Sequence, residues 1–317
     1  MSDAPSALER ARGASRARAL GYRLLPGEGF SYILHLRPLE WPIMAGHTAL
    51  GYLLARPPLH GEAGTWAWWA PLLGALAVWV VLLNGGTLAI NSAFDRDEGD
   101  VGYLDAPPPP PARLAAFSLA LMAIGQGLAF LLPWPFALVY AACFAMSILY
   151  SVPPVRLKAV AGADWLINMI GFGTLTPLAG WAASGVAVSR AGAWAMIAFC
   201  PLFAALYPLT QLYQLDEDRA RGDRTLAIAI GVRRSLLLSC VFALLAFAMF
   251  ARSIVLHGAD STDALLLGAA LAAWIAVLAP WTARADGMSI TQHKRGMYAA
   301  LGAWAVTDLA LLVVFVR

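Results

Sequence analysis

The chain has 317 residues, of which 60% are hydrophobic and 13% charged, with a mean hydropathy of +0.66 and a net charge of +3. Soluble domains carry roughly 25% charged residues, so this composition describes an integral membrane protein, and so small a net charge excludes a nucleic-acid partner. Long apolar runs without strand-like alternation exclude a β-barrel and predict an all-α, polytopic membrane fold.

The first 29 residues carry Arg10, Arg12, Arg16, Arg18 and Arg23 but no apolar core segment. That pattern predicts a basic cytosolic arm over residues 1–29, in contact with membrane lipid, and not a cleavable signal. Residues 30–317 are expected to form one transmembrane domain of nine spans around a central cavity. The spans lie near 38–56, 66–92, 112–132, 134–150, 164–184, 192–214, 234–256, 263–283 and 296–316.

With the N-terminus inside, 18 of the 22 Lys and Arg residues fall on the cytosolic side and 4 on the other. This asymmetry suits a multi-pass protein of a bacterial-type inner or plasma membrane, with its C-terminus on the opposite side. Five consecutive prolines after span two, Pro107 to Pro111, predict a stiff polyproline spacer. Cys143, Cys200 and Cys240 sit in separate apolar runs and read as small buried hydrophobes. No feature calls for an obligate protein partner.

Span two carries Asn84, Thr87, Asn91 and Asp95. At about 100° per residue these fall within roughly 80° of one another, a single stripe. Lipid offers such a stripe no partners, so it must face other helices or a wet cavity. It ends in Asp95, Asp97, Glu98 and Asp100, with Asp105 beyond. Span six ends similarly, with Gln211, Gln214 and Asp218 spaced i, i+3, i+7 and with Asp216, Glu217 and Asp223 alongside. Two carboxylate patches at the same membrane surface suit a hard cation such as Mg²⁺. Arg219, Arg221 and Arg224 beside the second patch repel bare metal but attract metal-bound phosphate. After span four, Tyr150-Ser-Val-Pro153-Pro154-Val-Arg156-Leu-Lys158 stops a helix at its prolines and leaves two cations to reach a phosphate.

Taken in chain order, these residues resemble the UbiA superfamily of intramembrane prenyltransferases. That family has nine helices and an Asn-x-x-x-Asp-x-x-x-Asp motif after the second. A Tyr-Ser-x-Pro-Pro-x-Arg-x-Lys-like stretch follows the fourth helix, and Asp-x-x-x-Asp follows the sixth. Asn91 and Asp95 match the first motif, whose third position falls on Gly99. A continuous helix turns Asp100 about 140° from Asp95, so Asp100 joins the site only if the helix breaks at Gly99. Otherwise Glu98, one turn from Asp95, takes its place. Asp218 matches the last Asp of the second motif, while Gln214 replaces the first and Asp216 follows two residues on. Arg37-Pro38 resembles the Arg-Pro that often opens the first helix.

The resemblance implies Mg²⁺-dependent transfer of a prenyl group from a prenyl pyrophosphate donor to a lipophilic, aromatic-type acceptor inside the membrane. The implied metal ligands are Asn91, Asp95, Glu98, Asp100, Gln214, Asp216 and Asp218. Arg156, Lys158 and Arg224 bind pyrophosphate, with Asp95, Asp218 and Lys158 the catalytic groups. Arg37, Tyr150 and Asn168 are candidates for the acceptor. The polar His47 and Asn168 read first as interhelical hydrogen-bond glue. Asp308, about twelve residues into the last span, must be protonated, paired or turned to a cavity. Two other functions use similar residues. A terpene cyclase ionises the same donor without an external acceptor. A cation transporter uses acids as an ion path, but concentrates them at the midplane.

Overall fold

The computed structural model describes residues 6–58, 64–95 and 104–317. No β-strand occurs among them. Helices α1 (Ala7–Gly13), α2 (Arg16–Leu24) and α3 (Gly29–His35) precede α4 (Trp41–Ala55), α5 (Trp66–Asp95), α6 (Leu114–Ala129) and α7 (Trp134–Ser151). Then come α8 (Ala163–Ala183), α9 (Arg190–Gln211), α10 (Leu215–Arg221), α11 (Leu226–Ile230), α12 (Val232–His257), α13 (Ser261–Ala283) and α14 (Ile290–Val316).

Seven of the described helices, α5, α7, α8, α9, α12, α13 and α14, are long and apolar enough to cross a membrane. Helices α4 and α6 fall where spans one and three are expected but have 15 and 16 residues, short of the ~20 that a straight crossing needs. Two spans contain π-helical stretches, Ala77–Asn84 within α5 and Met169–Leu175 within α8. No periodicity in the sequence marks them.

The chain divides into two compact units, one of residues 1–46 and 73–155 and the other of 47–72 and 156–317. In the first, the basic N-terminal residues are more than a surface arm. Ser6 and Ser15 cap α1 and α2. Tyr22 is buried with Leu34 and Leu104, and its hydroxyl pairs with Ser31 at 3.0 Å. Arg18 donates to the carbonyls of Asp105 and Ala106, so α2 is tied to the loop that follows α5. The proline run is not a solvated spacer either. Pro107, Pro108 and Pro111 are buried, and apolar ring surface next to a folded core packs against it.

The second unit packs α9, α12, α13 and α14 around Phe199, Leu202, Phe250, Trp274 and Trp304. Here α4 crosses α8 at backbone contact. A Cβ on Gly51 would strike the Pro177 carbonyl, and one on Gly180 would strike the Thr48 carbonyl. Between helices in lipid, close backbone approach of this kind supplies packing that the solvent does not.

Candidate active site

In the first unit the polar stripe of α5 faces α7. Thr87 Oγ1 lies 2.7 Å from Ser147 Oγ, and one turn on Ser151 Oγ donates to Asn91 Oδ1 at 3.4 Å. The serines repeat at the same four-residue spacing as Thr87 and Asn91, so two helices in register satisfy each other. Asn84, at the end of the π-helical stretch, is 4% exposed, and neither its oxygen nor its nitrogen has a hydrogen-bond partner among the described residues. Asp95 is the last described residue of α5 and is half-buried. Glu98 and Asp100, and with them the expected break at Gly99, lie outside the described residues.

Arg37, a candidate for the acceptor, is buried in a left-handed conformation with φ 49° and donates to Ser92 at 3.3 Å. Ser92 is next in sequence to Asn91 but about 100° round the helix from it, and a non-glycine residue held in the left-handed region, as Arg37 is, marks a constrained position. His35, two residues earlier, is 2% exposed. Burial and the Arg37 charge push its imidazole down to about 4, against the opposing pull of the Pro108 and Pro109 carbonyls. Those carbonyls lie close, yet neither ring nitrogen makes a well-aligned hydrogen bond. Tyr150 is half-buried one residue before the end of α7.

In the second unit the structure brings two loops together. The first, 152–162, carries Arg156 and Lys158. Arg156 is left-handed, φ 35°, and its guanidinium donates to both oxygens of Asp223, at 2.6 and 3.4 Å. Lys158 lies in a short turn and is 7% exposed. The second loop, 212–226, carries Asp218 and Arg224. The Arg224 N–H donates to the Ala159 carbonyl at 3.2 Å, within a parallel bridge between Val160 and Arg224. The sequence-predicted cations and the second carboxylate patch thus share one zipped pair of loops.

One expectation fails here. Gln211, Gln214 and Asp218 do not share a continuous helical face, because α9 ends at Gln211. A tight turn through 212–214 follows and α10 begins afresh at Leu215. The Gln211 amide is spent on structure: Nε2 donates to Asp164 at 2.6 Å and Oε1 accepts from the Ala227 N–H at 3.0 Å. On α10, Asp218 is 5% exposed. The Asp216 side chain is 76% exposed and pairs with Arg219. Two residues apart on a helix means roughly 200°, so Asp216 does not stand beside Asp218 to replace the charge missing at Gln214. It lines instead a cleft of about 190 Å³ with Tyr213, Arg219 and His293.

The intramembrane polar residues of this unit are paired. His47 Nδ1 lies 3.3 Å from Asp308 Oδ2, with Phe199 and Trp304 against the ring edge-on. Asn168 donates one amide N–H to the Asp164 carbonyl one turn earlier, at 2.7 Å. Among the described residues no three of His, Cys, Asp and Glu converge as a ready metal site. Each unit carries oxygen donors of the kind Mg²⁺ takes, Asn91 and Asp95 in the first and Gln214 and Asp218 in the second.

The UbiA prenyltransferase family model matches residues 48–301. The chain belongs to the UbiA prenyltransferase family. A UbiA relative, the digeranylgeranylglyceryl phosphate synthase of Natronomonas pharaonis, is 32% identical over 170 residues. The match covers 52% of this chain and 60% of that one, so it spans less than two thirds of the relative's length. The lycopene elongase/hydratase of Halobacterium salinarum is 29% identical over 236 residues, 70% of this chain and 79% of the relative. Among solved structures, a UbiA homologue from Archaeoglobus fulgidus bound to DMAPP and Mg²⁺ superposes with a TM-score of 0.63. It is 20% identical, over 88% of this chain and 99% of the homologue, and shows the fold. The UbiA motifs were legible as spacing, whereas the anchoring roles of Asp164 and Asp223 were not. Each is an acid beside a loop glycine, Gly162 and Gly222, and no spacing rule singles them out.

Proposed function

We propose that this UbiA protein transfers a prenyl group from a prenyl pyrophosphate to a lipophilic acceptor at the cytosolic end of its spans. The observation that carries this reading is the pairing of the Arg156–Lys158 loop with the Asp218–Arg224 loop. It sets pyrophosphate-binding cations beside a carboxylate in a chain of prenyltransferase ancestry. Asn91 and Asp95, with Glu98 or Asp100, in the first unit, and Gln214 and Asp218 in the second, would each offer oxygen ligands to Mg²⁺, which when bound neutralises charge on the departing pyrophosphate. Arg156, Lys158 and Arg224 donate to the pyrophosphate oxygens, stabilising the charge that develops as the allylic C–O bond breaks. The acceptor then attacks the allylic cation, and the apolar spans keep water from reaching it first. Arg37 and Tyr150 orient the acceptor, and the relatives named for digeranylgeranylglyceryl phosphate and for lycopene support a lipophilic class.

The test uses purified protein with Mg²⁺, prenyl pyrophosphates of several lengths and aromatic, polyene and glyceryl phosphate acceptors, with products identified by mass spectrometry. A prenylated acceptor and stoichiometric pyrophosphate are expected. Pyrophosphate with a cyclised hydrocarbon and no acceptor adduct would turn the reading to a terpene cyclase. No pyrophosphate with any donor, alongside ion flux in vesicles, would turn it to a transporter.

A further inference from the structure

Asp164 is fully buried at the start of α8, and the chemistry outlined above does not use it. Its carboxylate accepts three N–H groups. Gly162 N–H reaches Oδ1 at 2.8 Å, and Gln211 Nε2 and Leu226 N–H reach Oδ2 at 2.6 and 3.1 Å. Among the described residues no cation pairs with it. A buried carboxylate is costly unless its lone pairs are filled, and these three donors fill them. They come from three separate places: the cation loop, the end of α9, and the start of α11.

The last of these is unusual in its capping. Thr225 stands at the N-cap of α11, yet its side chain makes no capping bond and its hydroxyl is buried without a hydrogen-bond partner among the described residues. The first two N–H groups of α11 are satisfied from outside, Leu226 by Asp164 and Ala227 by Gln211. An N–H is only a donor, so Gln211 must turn its oxygen to Ala227 and its nitrogen to Asp164. The amide is therefore an adaptor between a carboxylate and a helix end. Together with Arg156–Asp223 and Ala159–Arg224, this makes three ties in parallel register, 156 to 223, 159 to 224 and 164 to 226.

We infer that Asp164 and Gln211 form a positioning pair, which holds the Arg156–Lys158 loop in register with the Asp218–Arg224 loop and so presets the pyrophosphate site. The inference rests on the prenyl-transfer reading for its consequence, but not for the tie itself. Asn at 164 keeps the shape and replaces one accepting oxygen by an NH₂, which then faces an N–H. The loops lose their common register, and the donor must restore it when it binds.

The test compares Asp164→Asn, Gln211→Ala and the double variant Asp164→Asn/Gln211→Glu, in which an amide and a carboxylate exchange places. Hydrogen exchange on the ligand-free protein is expected to show Gly162 and Leu226 losing protection in Asp164→Asn. Loss of a charge-assisted hydrogen bond predicts a KM for prenyl pyrophosphate raised about tenfold, with kcat at saturating donor and the acceptor KM within about twofold. Gln211→Ala shifts the donor KM in the same direction and less, and the exchanged pair, which restores the contact between positions 164 and 211 but offers only one amide oxygen to the Gly162 and Leu226 N–H groups, recovers part of it. Equal falls in kcat and Tm with the donor KM unmoved would overturn the positioning role. If the unaltered protein released no pyrophosphate, the prenyl-transfer reading would fall, and exchange would still decide the tie. Unchanged protection at Gly162 and Leu226 overturns the tie, and lost protection upholds it.

Discussion

Arg156 and Asp223, 67 residues apart in the chain, meet at 2.6 Å, with the carboxylate side chain 3% exposed and the guanidinium side chain 25% exposed. The pair holds a left-handed arginine at the tip of one loop against the end of another. Asp223→Ala is expected to lower kcat/KM for prenyl pyrophosphate by about tenfold, the worth of one charge-assisted hydrogen bond. Arg156→Ala loses more, because it also removes a pyrophosphate contact. The double variant should be no worse than Arg156→Ala alone, since Asp223 acts through Arg156. Additive losses in a steady-state assay would show that Asp223 has a separate role.

Asp95 opens the first carboxylate patch and Asp218 lies within the second. Asp95→Ala and Asp218→Ala are each expected to cut turnover by about a hundredfold or more, the size of losing a group that stabilises developing charge. Raised Mg²⁺ should recover part of the activity of Gln214→Ala but not of either aspartate variant. Turnover retained by both aspartate variants would remove these residues from the site while leaving the family untouched.

Asn84 has a buried amide with neither atom partnered among the described residues. Leaving such groups unpaired costs about 1–3 kcal/mol each, and an apolar residue of similar size avoids that. Asn84→Leu is therefore expected to raise the unfolding temperature in detergent. A fall in Tm would mean that the amide finds a partner in the membrane-embedded protein.

His35 is buried with its pKa pushed from 6.5 down to about 4. A depressed folded-state pKa means that the unfolded chain binds the proton more readily. The contribution of neutral His35 is full above pH 6.5 and is lost as pH falls toward 4, by up to about 3 kcal/mol. His35→Leu should flatten the stability profile between these values, measured by thermal unfolding in detergent across the range. An unchanged acid slope would place its origin in other groups.

The sequence alone was enough for the membrane class, the apolar helices and the family. Hydropathy, charge asymmetry and motif spacing are local, and each can be read in a window of a few turns. The pairing of His47 with Asp308, 261 residues on, was open in the sequence because only packing chooses among partners so distant. The helical face assumed for Gln211, Gln214 and Asp218 failed for the same reason. Periodicity presumes a continuous helix, whereas here the helix ends at Gln211, whose side chain is held by Asp164 and Ala227, and a turn through 212–214 follows. What only the tertiary structure decided is which polar groups bind a neighbour and which remain for a ligand. Thr87 is held by Ser147 and Gln211 by Asp164, and hydrogen-bond saturation of this kind is a property of the assembled neighbourhood.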